Sequence, residues 1–336
     1  MADIEKRVSE LLSDKEMVTN IITLFMAGLI IWIIGYFLYK ITKQSRKCSS
    51  LKDEVSDKPT TLSISDPDLL STPIRDFYIK TAYNCCSIGD YANDYVATCM
   101  LIAVIKQGVR CLDFEVFSID NLPVIATSTS NSFNEKETYN SIPFSEAIAI
   151  ISDQAFSGEI NSRDPLFIHL RIKSNNVKMF WAMNDMINQI ENLYKGEVTP
   201  KTPLSELMGK VIIIVNNSNK AYFSAGISAG PSSMGSSTGK VHNMVSGDSS
   251  FYMYKYEHIQ NLSSAEISEI KKPNAMTLVI PSAGSNPENI DLNKIIELNC
   301  NMVAMKYQQN DPRLIYYNQL FDTSAFILKS SVSVTK

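Results

Sequence analysis

The clearest feature of the hydropathy pattern is an uncharged apolar run near the amino terminus. Residues 17–39 contain no charged side chain over 23 positions, more than the roughly 20 residues that a helix needs to cross a bilayer core. Trp32, Tyr36 and Tyr39 lie toward its carboxyl-terminal end, where interfacial aromatic residues are typical. A buried core helix and a cleaved signal peptide are the alternatives, but a signal peptide has a shorter apolar region, roughly 7–15 residues. We predict a retained transmembrane helix.

The charges that flank this run predict its orientation. Four cations and no acid occupy residues 40–50, whereas acidic side chains outnumber basic ones in residues 1–16. The positive-inside rule therefore places the amino terminus outside and the long carboxyl-terminal part on the cytoplasmic side of a single-pass protein. Contact with anionic lipid headgroups is an alternative role for the same cations. The four cations are Lys40, Lys43, Arg46 and Lys47.

Farther along the chain, apolar segments alternate between helical and strand spacing. Residues 96–107 are apolar at helical spacing and are closed by Gly108, a residue typical of the position after a helix. Residues 109–117 then alternate like a strand, and residues 166–172 form an apolar run that indicates a buried strand. The chain therefore contains elements of an α/β domain.

Net charge excludes one class of partner, and local composition predicts one flexible segment. The 336 residues carry a net charge of −4 with a pI near 5.5, so no global positive field recruits nucleic acid, and we expect no nucleic-acid partner. Residues 223–250 contain nine Ser and five Gly, a composition that predicts a flexible linker.

Two acidic side chains share one face of the predicted strand at residues 109–117. Asp113 and Glu115 are two positions apart, and side chains on a strand repeat every two residues. Carboxylates that face inward near the carboxyl end of a strand need a metal, a cation or a substrate as partner. The alternative is that both are solvated at the strand end.

Residues 71–90 read STPIRDFYIKTAYNCCSIGD. Position for position, this stretch resembles the opening of the catalytic X box of eukaryotic phosphoinositide-specific phospholipase C. Residues 108–115 (GVRCLDFE) are similar to a second X-box segment, and residues 299–308 (NCNMVAMKYQ) to the Y box. The resemblance covers residues 71–330 in the order X box, linker, Y box. It implies an α/β (β/α)8 TIM-type barrel of the PLC-like phosphodiesterase superfamily.

The resemblance and the hydropathy pattern together predict the organisation of the chain. The predicted segments are a tail (1–16), a transmembrane helix (17–39), a basic juxtamembrane segment and tether (40–68), the X-box half of the barrel (69–217), a Ser/Gly-rich linker (218–250), the Y-box half (251–330) and a second tail (331–336).

The resemblance also implies which residues should carry the chemistry, and several of them are exchanged. The family's two catalytic histidines fall at Tyr83 and Thr129, and neither side chain replaces imidazole as an acid–base group at neutral pH. The family's phosphate-binding arginine and its ring-packing tyrosine fall at Leu278 and Ile280. No catalytic or substrate-binding residue is therefore carried over.

The calcium position of the family is retained only in part. Its ligands fall at Asn84, Asp113 and Glu115, whose oxygens suit Ca²⁺, but a further glutamate ligand falls at Arg171. We expect the Arg171 guanidinium to pair with both carboxylates and to fill the calcium position. No cofactor is then expected, and bound Ca²⁺ is the alternative.

The five exchanges affect separate functions, namely acid–base catalysis, metal binding and phosphate binding. The sequence therefore predicts a membrane-anchored phospholipase C-like barrel that acts as a scaffold or interaction domain, with a protein partner that the sequence does not identify. One alternative is an active phosphoric diester hydrolase with altered catalytic groups. Another is a module that binds lipid or inositol phosphate without turnover.

Overall fold

The computed structural model describes residues 15–56, 63–129, 133–157, 163–225, 241–272 and 274–332. The chain divides into two units, Met1–Ser49 and Ser50–Lys336. The first contains most of a long apolar helix, and the second contains the barrel.

The first helix, α1, extends from Lys15 to Ser56. Its segment Lys15–Leu51 is long and apolar enough to cross a membrane by length and composition, a test that a signal sequence near the amino terminus also passes. The helix continues into the predicted tether, because residues 40–56 contain neither glycine nor proline and many of them are good helix formers. A helix without an apolar face gives no periodic signal, which is why this part was not predicted as helical.

Among the described residues, eleven strands form one sheet, and eight of them make a nearly closed parallel barrel in the order β7-β6-β5-β2-β1-β10-β9-β8. The other three, β3, β4 and β11, pair antiparallel at its margin. This architecture confirms the predicted TIM-type barrel. The strands are β1 (Phe77–Ala82), β2 (Cys111–Ile119), β3 (Leu122–Ala126), β4 (Ile142–Pro143), β5 (Leu166–Ile172), β6 (Val211–Asn216), β7 (Met244–Ser246), β8 (Phe251–Lys255), β9 (Met276–Ile280), β10 (Met302–Met305) and β11 (Phe326–Leu328).

Helices and short turns connect the strands. Gly108, with φ +77°, follows α3 and allows the chain to turn into β2, as predicted. The helices are α2 (Pro67–Ser71), α3 (Thr98–Lys106), α4 (Phe144–Gln154), α5 (Val177–Asn188), α6 (Leu204–Leu207), α7 (Lys220–Ser224), α8 (Tyr256–Ile259), α9 (Ser264–Ile270), α10 (Leu292–Glu297) and α11 (Pro312–Leu320). Two 3₁₀ turns, Ile74–Asp76 and Lys329–Ser331, lie beside β1 and β11.

The predicted linker at residues 218–250 contains more structure than expected. β7 lies inside it and pairs with β6 as a barrel strand, and α7 lies near its start. A strand of three residues carries too little alternation to be recognised among serines and glycines. Residues 226–240 of this linker lie outside the described residues.

The barrel interior changes from apolar to polar toward the carboxyl ends of the strands. Parallel pairing places Cys111 beside Phe167, then Asp113 beside His169, then Glu115 beside Arg171. The first of these rows belongs to the apolar core, whereas the next two rows carry ionisable groups. We call the carboxyl-terminal end of the barrel the mouth.

Candidate functional site

Two neighbouring strands bring the ionisable groups of the mouth together. β2 contributes Asp113 and Glu115, and β5 contributes Arg171 directly beside Glu115. Asn84 lies in the loop after β1 with φ +44°, a left-handed conformation that asparagine tolerates better than most residues. All four side chains are buried, so each polar atom needs a partner from the protein.

Arg171 satisfies these groups with four hydrogen bonds. Its Nε and Nη2 donate to the two oxygens of Asp113 at 3.0 and 2.8 Å. Its Nη1 donates to Glu115 Oε1 at 2.6 Å, and Nη2 also donates to Asn84 Oδ1 at 2.8 Å. The predicted pairing of Arg171 with both carboxylates is confirmed. Charge-assisted and bidentate bonds of this kind are the strong class of protein hydrogen bonds.

The two carboxylates differ in their titration. Burial by itself raises the pKa of Asp113, but the Arg171 guanidinium and a hydrogen bond from His169 together hold it well below its usual range. Burial raises the pKa of Glu115, and the opposing effects of Arg171 and Lys173 do not fully offset it. Asp113 is therefore the firmly ionised partner of the guanidinium, and Glu115 is the carboxylate that takes up a proton more readily.

Tyr83 covers the guanidinium instead of acting as a base. The Arg171 Cζ atom lies 4.4 Å from the centroid of the Tyr83 ring, which is within cation–π distance. Tyr91 packs edge-on against the same ring at 5.3 Å. Burial raises the pKa of the Tyr83 hydroxyl far above neutrality. The tyrosine at position 83 therefore stabilises the arginine at position 171 through a cation–π contact.

Thr129, at the second catalytic histidine position, is tied to a nearby carboxylate. Its hydroxyl donates to Glu137 Oε2 at 2.7 Å, and its backbone N–H donates to the same oxygen. Both side chains are partly buried. A threonine hydroxyl has no useful titration near neutral pH, so it supplies no imidazole-like acid or base.

His169 lies one row deeper than Arg171 and is fully buried. Its Nδ1 lies 2.6 Å from Asp113 Oδ1 and its Nε2 lies 2.8 Å from the Ser246 hydroxyl. The arrangement resembles a serine–histidine–aspartate triad, but all three side chains have 0% exposure. No substrate can reach the buried Ser246 hydroxyl, so His169 is a satisfied core histidine that contacts Asp113.

The mouth opens into a cavity of about 380 Å³. Two lysines that the sequence analysis missed line it beside Arg171. Lys173 follows β5 on the same face as Arg171, with its Nζ 4.0 Å from Glu115 Oε1, and Lys255 ends β8. The period-two alternation of strand residues would have placed both at the mouth. Among the charged residues that line the cavity, Arg171, Lys173 and Lys255 outnumber Glu115, so the cavity is cationic.

The exchanged substrate positions lie at different depths in the barrel. Leu278 is fully buried in the apolar core. Ile280 lies one repeat farther along β9 and lines the cavity. An aliphatic wall therefore stands where the resemblance places an aromatic contact with the inositol ring.

The residues at the calcium position do not fit a calcium ion. Asn84, Asp113 and Glu115 each already accept a hydrogen bond from Arg171, and a second cation there would face the guanidinium charge. Among the described residues, no group of three or more His, Cys, Asp or Glu side chains is arranged to hold a metal. The oxygens that the resemblance assigns to calcium are those that Arg171 uses.

Comparison with known proteins agrees with this architecture. The family model described as phosphatidylinositol-specific phospholipase C, X domain, matches residues 70–217. A curated relative, 1-phosphatidylinositol 4,5-bisphosphate phosphodiesterase 1 of Saccharomyces cerevisiae, is 25% identical over 170 residues, which are 50% of this chain and 18% of the yeast protein. The chain therefore spans less than a fifth of the length of that relative.

Two crystal structures share the fold at low identity. PLC21 of S. officinalis superposes with a TM-score of 0.55 at 14% identity, over 77% of this chain and 37% of its own. PLC21 of L. pealei gives 0.54 at 13% identity over the same shares. The family match ends at residue 217, so the Y-box assignment of residues 251–330 stays a prediction. Residues 70–217 match the family model of the phosphatidylinositol-specific phospholipase C X domain, and the chain shares the barrel fold of these phospholipase C structures.

Proposed function

We propose that this chain is a membrane-anchored phospholipase C-like barrel that does not cleave phosphodiesters and acts as a scaffold or interaction domain at a membrane. The observation that carries the proposal is the Arg171 guanidinium, which is hydrogen-bonded to Asn84, Asp113 and Glu115. A charge fixed in this way competes with calcium for the same oxygens, which supports the proposal.

The acid–base groups give independent support. Phosphodiester cleavage by this fold needs one group that removes a proton from the attacking hydroxyl and one that protonates the leaving group. Tyr83 is held against Arg171 with a raised pKa, and Thr129 donates to Glu137. Loss of general acid–base catalysis alone lowers a rate by roughly 10²–10⁴-fold.

The membrane assignment rests on α1 and its flanking charges. The apolar segment has the length and composition of a span, and the cations at residues 40–50 favour a cytoplasmic barrel by the positive-inside rule. An anchored barrel would present its surface to partners close to the bilayer, and partner identity is open to experiment.

A second candidate function is a phosphoric diester hydrolase that works without metal. The cavity at the mouth favours it, because Arg171, Lys173 and Lys255 would attract a phosphate. Glu115, whose pKa is raised by burial, would be the available proton-transfer group. Lys173, which lines the cavity and whose pKa is lowered by burial, would have to be the second acid–base group.

A hydrolysis assay separates the two candidates. The full chain in mixed micelles is incubated with phosphatidylinositol 4,5-bisphosphate, the diester named for the yeast relative, once with calcium and once with chelator. The proposal expects product formation equal to that of Arg171→Met in both conditions. Turnover in chelator that is lost in both Arg171→Met and Lys255→Met would establish the metal-free hydrolase and overturn the proposal.

A further inference from the structure

A second cavity lies at the amino-terminal end of the barrel, opposite the mouth. Its volume is about 560 Å³, within the range of roughly 300–1,000 Å³ that is common for small-molecule sites. The 3₁₀ turn before β1, the end of α9 and the end of β11 supply its walls. We call it the basal cavity and define it by Arg75, Asp76, Lys271, Lys272, Leu328 and Lys329.

The charge of the basal cavity is strongly one-sided. Four cations line it, and Asp76 is the only carboxylate among the described lining residues. Asp76 is half exposed and lies 3.7 Å from Arg75 Nε, which is a loose ion pair. Lys272 pairs outside the cavity with Glu269. Positive charge therefore exceeds negative charge in a concave site, where fields are focused.

The two innermost cations lack full compensation. Arg75 Nη1 donates to Asn274 Oδ1 at 2.9 Å, and the Arg75 side chain is 24% exposed. Lys329 is partly buried, with Nζ 5.9 Å from the centroid of the Tyr78 ring. Among the described residues, no hydrogen-bond acceptor is recorded for this ammonium. Burial lowers the pKa of Lys329 to about 8; Cys300 and Asp76 oppose this shift in part, and repulsion from Arg75 adds to it.

Two like charges that are brought together and partly desolvated are unfavourable unless an anion joins them. A guanidinium offers paired donors and an ammonium offers a point charge, a combination that suits phosphate oxygens. Ile270 and Leu328 add an apolar wall for the rest of a ligand. We propose that the basal cavity binds a phosphate group of a small molecule or lipid headgroup through Arg75 and Lys329, with Lys271 and Lys272 at its rim.

Titration calorimetry with inorganic pyrophosphate tests this site on the full chain in neutral detergent. Lys329→Met and Arg75→Met are each expected to weaken binding about tenfold or more, because each removes a charged hydrogen-bond donor. Lys294→Met is the matched control, because this lysine lies on α10 with its own partner Glu297 at 3.4 Å, outside the cavity. Its affinity is expected to equal that of the unaltered chain.

Two further results would contradict the proposal that the basal cavity binds phosphate. One is no binding of pyrophosphate at millimolar concentration. The other is unchanged affinity in Lys329→Met together with loss of affinity in Lys255→Met, which would place the anion in the mouth. If Arg75→Met fails to fold, Lys329→Met combined with Lys271→Met, which changes the exposed Lys271, decides the question: retained pyrophosphate affinity in that variant would overturn the site.

A parallel titration distinguishes the source of the phosphate. Short-chain phosphatidylinositol 4-phosphate is compared with pyrophosphate in the same detergent. Tighter binding of the lipid, weakened by Lys329→Met, would assign a headgroup. Tighter binding of pyrophosphate, weakened in the same way, would assign a soluble phosphorylated molecule, and either result supports the phosphate site.

Discussion

Two regions of the barrel each hold an arginine away from bulk water, and they differ in what surrounds the guanidinium. At the mouth, Arg171 meets two carboxylates, an amide oxygen and an aromatic face. In the basal cavity, Arg75 meets one amide oxygen, a carboxylate at 3.7 Å and a neighbouring lysine. The charge of Arg171 is offset by two hydrogen-bonded carboxylates, whereas that of Arg75 is offset only in part, by Asp76. The Arg171 guanidinium is therefore fully engaged within the chain, whereas the Arg75 guanidinium keeps charge available for a ligand.

The largest expected loss of stability comes from removing the Arg171 guanidinium from the mouth. Arg171→Met leaves Asp113 and Glu115 buried without their cation, and removal of one partner from a buried ion pair costs about 3–5 kcal/mol. Urea unfolding of the full chain in mild detergent measures this loss in the free energy of unfolding. Arg75→Met is the matched control and should cost less than about 1 kcal/mol. Equal losses for the two variants would remove the contrast between the regions.

The acid dependence of stability should report Asp113 in particular. Its pKa is lower in the folded chain than in the unfolded chain, so its stabilisation is present above about pH 4 and is lost as pH falls below that value. Asp113→Asn should cost about 2–3 kcal/mol at neutral pH. Unfolding measured between about pH 3 and 7 should show a flatter acid limb in this variant. An unaltered acid limb would contradict the assigned ion pair.

The aromatic cover should contribute less than the ion pair. Tyr83→Leu removes the ring from the guanidinium, and a desolvated cation–π contact is worth about 1–2 kcal/mol. Tyr83→Phe keeps the ring and serves as the control, with most of the stability retained. Thermal or urea unfolding of both variants checks the difference. Equal stability of the two would show that the ring face does not hold Arg171.

The smallest expected effect on stability comes from Lys329 in the basal cavity. The pKa of Lys329 is lowered to about 8 in the folded chain, so the folded chain binds this proton more weakly than the unfolded chain does. Stability attributable to this group therefore rises as pH increases from about 8 to 10.5. Lys329→Met should abolish that rise and leave stability at neutral pH unchanged or slightly higher. Stability that falls in the variant at neutral pH would show that Lys329 has a partner in the fold.

Some features of the fold and of the mouth could be predicted from the sequence alone. The barrel and the pairing of Arg171 with Asp113 and Glu115 were predictable, because strand alternation places groups two residues apart on one face and X-box order places β2 beside β5. The same alternation places His169, two residues before Arg171, one row deeper in the barrel. Lys173 and Lys255 were not predicted as mouth residues, although Lys173 lies two positions after Arg171 and so shares its strand face.

Other features depend on contacts that no local pattern carries. β7 is a barrel strand only because β6 pairs with it, and its three residues are surrounded by linker-like composition. The basal cavity joins residues near positions 75, 271 and 329, which are brought together only when the barrel closes. The cation–π contact between Tyr83 and Arg171 likewise joins two exchanges that are 88 positions apart in the sequence.

Calcium titration by calorimetry on the full chain in mild detergent tests the central claim most directly. The account predicts no binding heat for the unaltered chain, because the Arg171 guanidinium uses the oxygens of Asn84, Asp113 and Glu115. It predicts that Arg171→Glu, which places a carboxylate at that position, gains calcium binding. Stoichiometric binding of calcium at micromolar affinity by the unaltered chain would contradict the claim that the guanidinium closes the site.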